Sequence, residues 1–210
     1  GDAGNFYIDE IRYVVGVAVY TDNFTVPTAR LSLTQGAGTN IAAITGSATK
    51  LLIHSNLSSG CPSTTFTETY NNTTHTITST NARHTLLGSS HAENTIVTPF
   101  AAWPANGKKF GSQGAYFDGT GDYVYINAAS TDFNFGSGNF TIDYWAMRTQ
   151  TGNVQFHFGW GGSDGTEDIA VRFQTNGVIK VYFRDTSNSR NFEPGFTVTD
   201  SNWHHYALTR

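Results

Sequence analysis

The stretch Gly114–Arg148 reads GAYFDGTGDYVYINAASTDFNFGSGNFTIDYWAMR. Aromatic and aliphatic residues alternate with other residues in two short segments, Ala115–Asp118 and Tyr123–Ile126, which is typical of β-strands. Asp118–Asp122, between them, is rich in Gly and Asp, the residues that accept positive φ or bond the local backbone in turns. The sequence therefore predicts a β-hairpin here.

The second half of this stretch predicts a longer strand with two bulky faces. Phe140, Ile142, Tyr144 and Ala146 fall on one face, and Thr141, Asp143, Trp145 and Met147 fall on the other. A strand with large residues on both faces is typical of the interior of a layered structure. We therefore expect an all-β, antiparallel, two-sheet jelly-roll β-sandwich.

The composition limits the classes of protein that the chain can represent. Its 210 residues, with 38% hydrophobic and 14% aromatic content, suffice for one large core. A net charge of -4 with 13% charged residues provides no basic stripe for nucleic acid. No apolar run reaches the roughly 20 residues that cross a bilayer, so we expect no membrane insertion. A single cysteine, Cys61, excludes an intrachain disulfide.

Several further segments carry strand or linker patterns. Phe6–Tyr20 predicts a strand that continues past Gly16, and the residues from Leu31 to Ala48, rich in Thr, Gly, Ala and Ser, predict a linker. Asn176-Gly177 joins two alternating runs, Ile169–Phe173 and Val178–Phe183, and predicts a hairpin with a type I′ turn.

Three motifs together resemble a known family. The runs AYFDGTGDYVYI, FGSGNFTIDYWAM and NWHHYALTR resemble the first half of a laminin-G-like or concanavalin A-like lectin/glucanase jelly-roll domain. The N-terminal run YIDEIRYVVGVAVYTDNFTVPTA resembles the last strand and exit of the same kind of domain. The resemblance implies a slice through tandem repeats: residues 1–30 end a preceding repeat, 31–48 form a linker, and 49–210 form the larger N-terminal part of a sandwich truncated at Arg210. The alternative is that residues before Arg30 complete the later sheet.

The same resemblance implies a function and a location. We expect a non-enzymatic adhesion module that binds carbohydrate or another surface ligand, in a repeated extracellular, cell-surface or virion-exterior protein such as a phage tail fibre. Its partners would be a glycan or surface ligand and neighbouring repeats or identical subunits. The alternative is a purely structural spacer or decoration module in a fibre, filament or capsid. No catalytic residue is predicted, because the chain lacks both the glucanase pattern Glu-x-Asp-x-x-Glu and a Gly-x-Ser-x-Gly elbow.

Candidate ligand-binding residues lie in segments that predict loops. Trp160 is the first candidate for stacking on a sugar, and Asp164 lies in the same Gly-rich acidic segment. Trp103 is either a second stacking platform or a lid on the end of the sandwich.

Calcium is the one metal that the sequence suggests. Asp118 and Asp122 flank two glycines and could supply oxygen ligands, as loops of laminin-G-like domains often do, although Asp-Gly turns are also ordinary without metal. Asp164, Glu167 and Asp168 form a weaker candidate. His204 and His205 are adjacent on a strand and point to opposite faces, so we expect one buried and one half-exposed histidine rather than a metal site.

Overall fold

A computed structural model describes much of the chain. The described residues are 6–53, 65–70, 73–80, 83–84, 107–111, 115–117, 123–126, 136–149, 152–161, 167–184 and 189–210. For 65–70, 73–80, 83–84, 115, 123–126, 160–161, 167–168 and 189, the description covers the backbone only.

The described residues form antiparallel strands, which confirms the predicted all-β class. No helix in this part of the chain has the length and hydropathy to span a membrane. In chain order the strands are β1 (Phe6–Val15), β2 (Thr49–Ile53), β3 (Thr65–Tyr70), β4 (Thr73–Thr80), β5 (Arg83–His84), β6 (Ala115–Phe117), β7 (Tyr123–Ile126), β8 (Phe140–Arg148), β9 (Gln155–Gly161), β10 (Glu167–Phe173), β11 (Ile179–Arg184), β12 (Ser189–Phe192) and β13 (Trp203–Thr209).

The first strand lies in the middle of the largest sheet. This six-stranded sheet has the order β13-β8-β1-β6-β5, and β2 also pairs with β1. β1 and β8 pair from Phe6↔Arg148 to Val15↔Phe140, and β13 pairs with the other edge of β8. Residues 6–15 therefore share one sheet with residues 140–148. The assignment of residues 1–30 to a preceding repeat, and the alternative that they complete the later sheet, both stay predictions.

A bulge in β1 allows two strands to share one of its edges. Glu10 has a φ of 56°, and the β1–β8 register shifts between Asp9 and Ile11. Before the bulge, β1 pairs with β6, and after it β1 pairs with β2. An extra residue in a strand bends it and increases its twist, so the bulge marks the point where the neighbouring strand changes.

The second layer is a four-stranded sheet with the order β12-β11-β10-β9. Its inward residues pack against those of the six-stranded sheet in one hydrophobic core, to which β8 contributes the four residues predicted for one face. Burial of that face, and of the opposite face as well, confirms the two-layer sandwich. The core members are Phe6, Ile8, Tyr13, Leu51, Ile53, Phe140, Ile142, Tyr144, Ala146, Ile169, Val171, Phe173, Ile179, Val181, Val198 and Tyr206.

The predicted β10–β11 hairpin is confirmed, but its turn differs from the prediction. Gly177 has a φ of 84°, whereas Asn176 is not among the described residues with positive φ, so the turn is not type I′. A Cβ on Gly177 would lie 2.5 Å from the carbonyl oxygen of Val198. Glycine is thus required here both by its backbone conformation and by the close approach of the Val198 backbone.

The hairpin predicted for Ala115–Ile126 is wrong. β6 pairs with β1 and β5, whereas β7 pairs with β4 in a separate three-stranded sheet of order β3-β4-β7. Alternation of apolar residues identified both strands correctly. It cannot identify a strand's partner, because the same pattern suits any sheet with one buried face.

The segment predicted to be a linker covers the outer face of the six-stranded sheet. Leu31 and Ile44 are buried, with 3% and 2% of their surface exposed. The backbone N–H of Leu31 donates to the Glu10 carboxylate, and the Thr49 hydroxyl donates to the carbonyl of Leu33. The linker prediction for residues 31–48 is therefore wrong, because specific hydrogen bonds and buried side chains hold this polar segment on the sheet.

A buried ion pair within the sheet contacts this covering segment. Arg12 on β1 and Asp143 on β8 are register partners, and both side chains are 0% exposed. The guanidinium makes two hydrogen bonds to the carboxylate, of 2.9 and 2.7 Å. It also donates to the carbonyl of Ser32 and the side chain of Gln35, while the Tyr20 hydroxyl donates to Asp143. The pair therefore joins two strands to the segment that covers them.

We expect Asp143→Asn to lower the free energy of unfolding by about 3–5 kcal/mol, because it leaves the Arg12 guanidinium buried without a counter-charge. Burial alone would raise the pKa of Asp143, but His205 and Arg12 outweigh it and hold the pKa below its ordinary value. The contribution is therefore present above about pH 4 and is lost as the pH falls through the lowered pKa. Urea unfolding at pH 7 measures the effect.

The matched control is Asp22→Asn, which makes the same change at an exposed position and should alter stability by no more than about 0.5 kcal/mol. A loss for Asp143→Asn no larger than that of the control would contradict the structural role given to the pair.

Candidate functional site

The residues predicted to bind ligand or calcium lie mostly outside the described part of the chain. Trp103, Asp118, Asp122 and Asp164 belong to this group. The backbone of Trp160 is described and lies in β9 opposite Ile169, so its predicted loop position is wrong, while its side chain is not described. Among the described residues, no group of three or more His, Cys, Asp or Glu side chains could hold a metal ion. The calcium site at Asp118 and Asp122 stays a prediction.

The two adjacent histidines are placed as expected. His204 is 36% exposed at its side chain and lies 2.6 Å from Asp200, while the His205 side chain is 1% exposed and lies 3.4 Å from Asp143. The two imidazole rings therefore lie on opposite faces of β13, one buried and one partly exposed.

Three carboxylates of the large sheet are buried. Asp9, Glu10 and Asp143 are each 0% exposed. Asp9 Oδ2 accepts hydrogen bonds of 3.0 Å from the backbone N–H groups of Lys109 and Phe110, and Glu10 Oε1 lies 3.5 Å from Arg30. These carboxylates hold backbone segments on the sheet, and a polymer substrate has no access to them in this structure.

Asp9 has an unusual electrostatic environment. Burial raises its pKa to about 7, with the neighbouring Glu10 adding to the rise and the two backbone N–H groups opposing it. Its Oδ1 atom has no hydrogen-bond partner among the residues that the structure describes. The Lys109 ammonium, in the segment that Asp9 binds, lies 4.1 Å from the centre of a Trp145 ring across the sheet. Asp9 thus links the segment 107–111 to β1 and is sensitive to pH near neutrality.

We expect Asp9→Asn to become more stable relative to the wild-type protein as the pH rises from about 4 to 7. The folded protein keeps a proton on Asp9 that the unfolded chain loses near pH 4, so ionisation destabilises the fold by up to about 1.4 kcal/mol per pH unit. Asparagine cannot ionise. Urea unfolding of both proteins between pH 4 and 8 measures the difference.

Burial lowers the pKa of His157 to about 3. Below pH 6.5 this histidine therefore makes the fold less stable as the pH falls, which is the opposite of the effect of Asp9. It is present in both proteins, so the difference between them isolates Asp9. A difference that stays constant with pH would show that Asp9 has an ordinary pKa.

The outer face of the four-stranded sheet carries aromatic and cationic side chains. Ile169, Val171 and Phe173 of β10 face the core, as do Ile179 and Val181 of β11, so the alternate residues lie on the outer face. We call Phe156, Arg172, Lys180, Tyr182 and Arg184 the cation–aromatic face. The first four are half-buried and Arg184 is exposed, whereas Ala170 on the same side is buried.

Arg172 is the centre of this face. Its guanidinium carbon lies 5.0 Å from the centre of the Phe156 ring and 5.3 Å from that of Tyr182. Phe156 and Lys180 are its register partners on the two neighbouring strands. Contacts of this kind between a guanidinium and aromatic rings stabilise the arrangement at partly exposed sites. The face is therefore an ordered platform in which rings alternate with positive charges.

Lys180 contacts a carboxylate on this face. Its ammonium lies 3.1 Å from Glu193 and 5.8 Å from the centre of the Tyr182 ring. The hydrogen bond to Glu193 and the neighbouring Tyr182 raise the pKa of Lys180. The lysine is therefore charged at neutral pH and already holds an anionic group beside an aromatic ring.

The residue pattern of two strands in the sequence indicates this face. In Ile169–Phe173 and Val178–Phe183 the apolar residues alternate with Arg172, Lys180 and Tyr182. Period-two alternation places these three residues together once the hairpin is accepted. Phe156 could not be added, because nothing in its strand indicates pairing with β10.

Comparison with known proteins agrees with this architecture. Residues 118–210 match a laminin-G-type family described as the concanavalin A-like lectin/glucanases superfamily. This part of the chain, which contains β7 to β13, is similar to that superfamily, and the match supports the family resemblance. Residues 1–117 lie outside the match. Neither curated proteins nor solved structures include a significant match to the chain.

Proposed function

We propose that the chain is a non-enzymatic carbohydrate-binding module, and that its cation–aromatic face contacts the sugar. The superfamily assignment supports a module of carbohydrate-binding type, although that superfamily includes glucanases as well as lectins. The observation that carries the proposal is the half-exposed Tyr182 ring beside Arg172 and Lys180 on the outer face of the four-stranded sheet.

The physical basis is the pairing of an apolar surface with nearby polar groups. A tyrosine ring offers a flat apolar surface on which the C–H face of a pyranose can pack, and its hydroxyl adds a hydrogen-bonding group. Arg172 and Lys180 add N–H donors within reach of the ring. Such a combination of apolar contact area and a few oriented polar groups is typical of small-molecule sites.

The wider role follows from this activity. We propose that glycan binding serves adhesion in an extracellular or virion-exterior protein, where several weak sites in repeated modules would act together through their high effective concentration. Trp160, Trp103 and Asp164 are proposed as further ligand-binding residues, separate from this face.

Binding to a glycan array tests the proposal. We expect at least one class of glycan to bind, and Tyr182→Ala to weaken that binding about ten-fold, because the stacking surface is lost. The control Phe192→Ala removes an aromatic ring that is 55% exposed on β12, where it pairs with the core residue Val181. It should bind like the wild-type protein.

An array run in the presence of a chelator tests calcium separately, since loss of binding on chelation would support the predicted ligands Asp118 and Asp122. A folded protein that binds no glycan under either condition would contradict the proposed function.

A structural role is the second candidate, and one observation favours it. Phe192 and Phe196 are 55% and 52% exposed at the β12 edge of the four-stranded sheet. An edge strand with exposed apolar residues is a site where sheets of different molecules can meet.

If the edge serves assembly, the protein will form dimers or larger species with increasing concentration, and the double variant Phe192→Ser/Phe196→Ser will remain monomeric. Sedimentation analysis of both proteins measures this. A monomeric wild-type protein at high concentration would contradict assembly through this edge, while Tyr182→Ala, which leaves the edge intact, serves as the matched control.

A further inference from the structure

The turn of the β10–β11 hairpin contains a dipeptide with its own chemistry. Asn176 precedes Gly177, and the side-chain amide of an asparagine can be attacked by the backbone nitrogen of the next residue. Glycine hinders this attack least, because it has no Cβ and is conformationally free. In the structure Asn176 is exposed, whereas Gly177 is buried. Solvent therefore reaches the residue that is attacked, while the residue that supplies the attacking nitrogen is covered.

The Asn176 side chain lies beside the peptide with which it would react. Its Oδ1 atom accepts a hydrogen bond of 3.1 Å from the backbone N–H of Val178, which is the arrangement of an Asx turn. Gly177 lies between these two residues, so the bond holds the side chain alongside the Gly177 peptide. A hydrogen bond to the amide oxygen also draws electrons from the carbon that is attacked. The closed turn therefore orients and polarises the side-chain amide.

The same turn keeps the nitrogen of Gly177 unreactive. Its N–H donates to the carbonyl of Gln174 at 2.9 Å, and the Gly177 carbonyl accepts from the N–H of Val198 at 2.9 Å. A peptide nitrogen has to lose its proton before it can attack, and a buried, hydrogen-bonded N–H exchanges its proton only when the structure opens. Reaction in the folded protein therefore requires the turn to open.

We infer that Asn176 is a site of spontaneous covalent modification, and that opening of the β10–β11 turn controls its rate. In the open turn, hydroxide removes the Gly177 proton, and the nitrogen forms a bond to Cγ of Asn176. The bond from Cγ to Nδ2 breaks, and Nδ2 takes a proton from water and leaves as ammonia. The resulting succinimide adds one water molecule at either carbonyl, which yields aspartate or isoaspartate. No group is oxidised or reduced, and the reaction is independent of glycan binding.

The two products have different effects on the turn. Aspartate leaves the backbone unchanged, and its carboxylate can still accept the N–H of Val178. Isoaspartate adds a methylene to the backbone before Gly177, which is packed so closely that a Cβ on it would lie 2.5 Å from the carbonyl oxygen of Val198. That carbonyl is itself held by Arg148 Nη1 at 2.9 Å. Isoaspartate therefore does not fit the closed turn and destabilises the end of the hairpin.

The test compares the reaction in folded and unfolded protein. One sample in buffer and one in urea are incubated in mildly alkaline solution, and peptide mapping by mass spectrometry quantifies the products at residue 176. We expect the unfolded chain to react, and the folded protein to react at least about ten-fold more slowly, because the hydrogen bonds that hold Gly177 have to break. Hydrogen exchange at the Gly177 N–H measures the fraction of open turn, which should account for the ratio of the rates.

Asn153 is the matched control within the same samples. It is exposed in the folded protein, like Asn176, but it precedes Val154, whose β-branched side chain hinders attack by the Val154 nitrogen. We expect little product at Asn153 in either sample. The variant Asn176→Gln should show no product at residue 176, because its longer side chain would have to close a larger ring.

A comparison of the two products tests the effect on the turn. The variant Asn176→Asp represents the aspartate product and should unfold at the same urea concentration as the wild-type protein. The isoaspartate fraction, separated by chromatography, should unfold at a lower urea concentration.

Each measurement can overturn one part of the inference. Equal rates in the folded and unfolded protein overturn control by the turn, and an unreactive unfolded chain overturns the modification itself. Equal amounts of product at Asn153 and Asn176 overturn the assignment to the Asn-Gly pair. An isoaspartate fraction as stable as Asn176→Asp overturns the stated effect on the hairpin. A folded rate that equals the unfolded rate multiplied by the open fraction supports the inference.

Discussion

The buried ion pair between Arg12 and Asp143 is the constraint on which the large sheet depends. Both groups are removed from water, so each is tolerable only because the other is present with the right geometry. The pair fixes the register of β1 against β8, because a shift of one residue would place Arg12 in the hydrophobic core. It also fixes the covering segment, since Tyr20, Ser32 and Gln35 complete its hydrogen bonds. One pair thus joins parts of the chain 131 residues apart.

This constraint determines which surface can serve function. With its inner face on the core and much of its outer face under residues 17–48, the six-stranded sheet uses its polar groups internally. The carboxylates of Asp9, Glu10 and Asp143 hold backbone and guanidinium groups. On the outer face of the four-stranded sheet, by contrast, Tyr182 is half-buried and Arg184 is exposed.

The sequence correctly predicted strands and a hairpin, which depend on local residue patterns. Its predictions failed where strand partners are distant in the chain. Alternation identified β8 with its two buried faces, and Asn176-Gly177 identified the β10–β11 hairpin. The pairing of β1 with β8, and the separation of β6 from β7 into different sheets, rest on contacts between remote segments that no local pattern encodes. Residues 31–48 resembled a linker because a cover held by backbone hydrogen bonds needs few apolar residues. The predicted site residues Trp103, Asp118, Asp122 and Asp164 lie outside the described chain. The cation–aromatic face was accessible to sequence reasoning only after the hairpin register was known.

The cation–aromatic face differs from the buried ion pair in one respect that bears on its role. Arg12 is neutralised by a carboxylate across the strand, whereas the residue across the strand from Arg172 is another cation, Lys180. A sheet selected for stability alone would place opposite charges at those two positions, as β1 and β8 do. The rings of Phe156 and Tyr182 reduce the cost of this arrangement without cancelling the charge. Packing of the Arg172 guanidinium against two aromatic rings is therefore the described feature that lets this sheet hold two cations at paired positions.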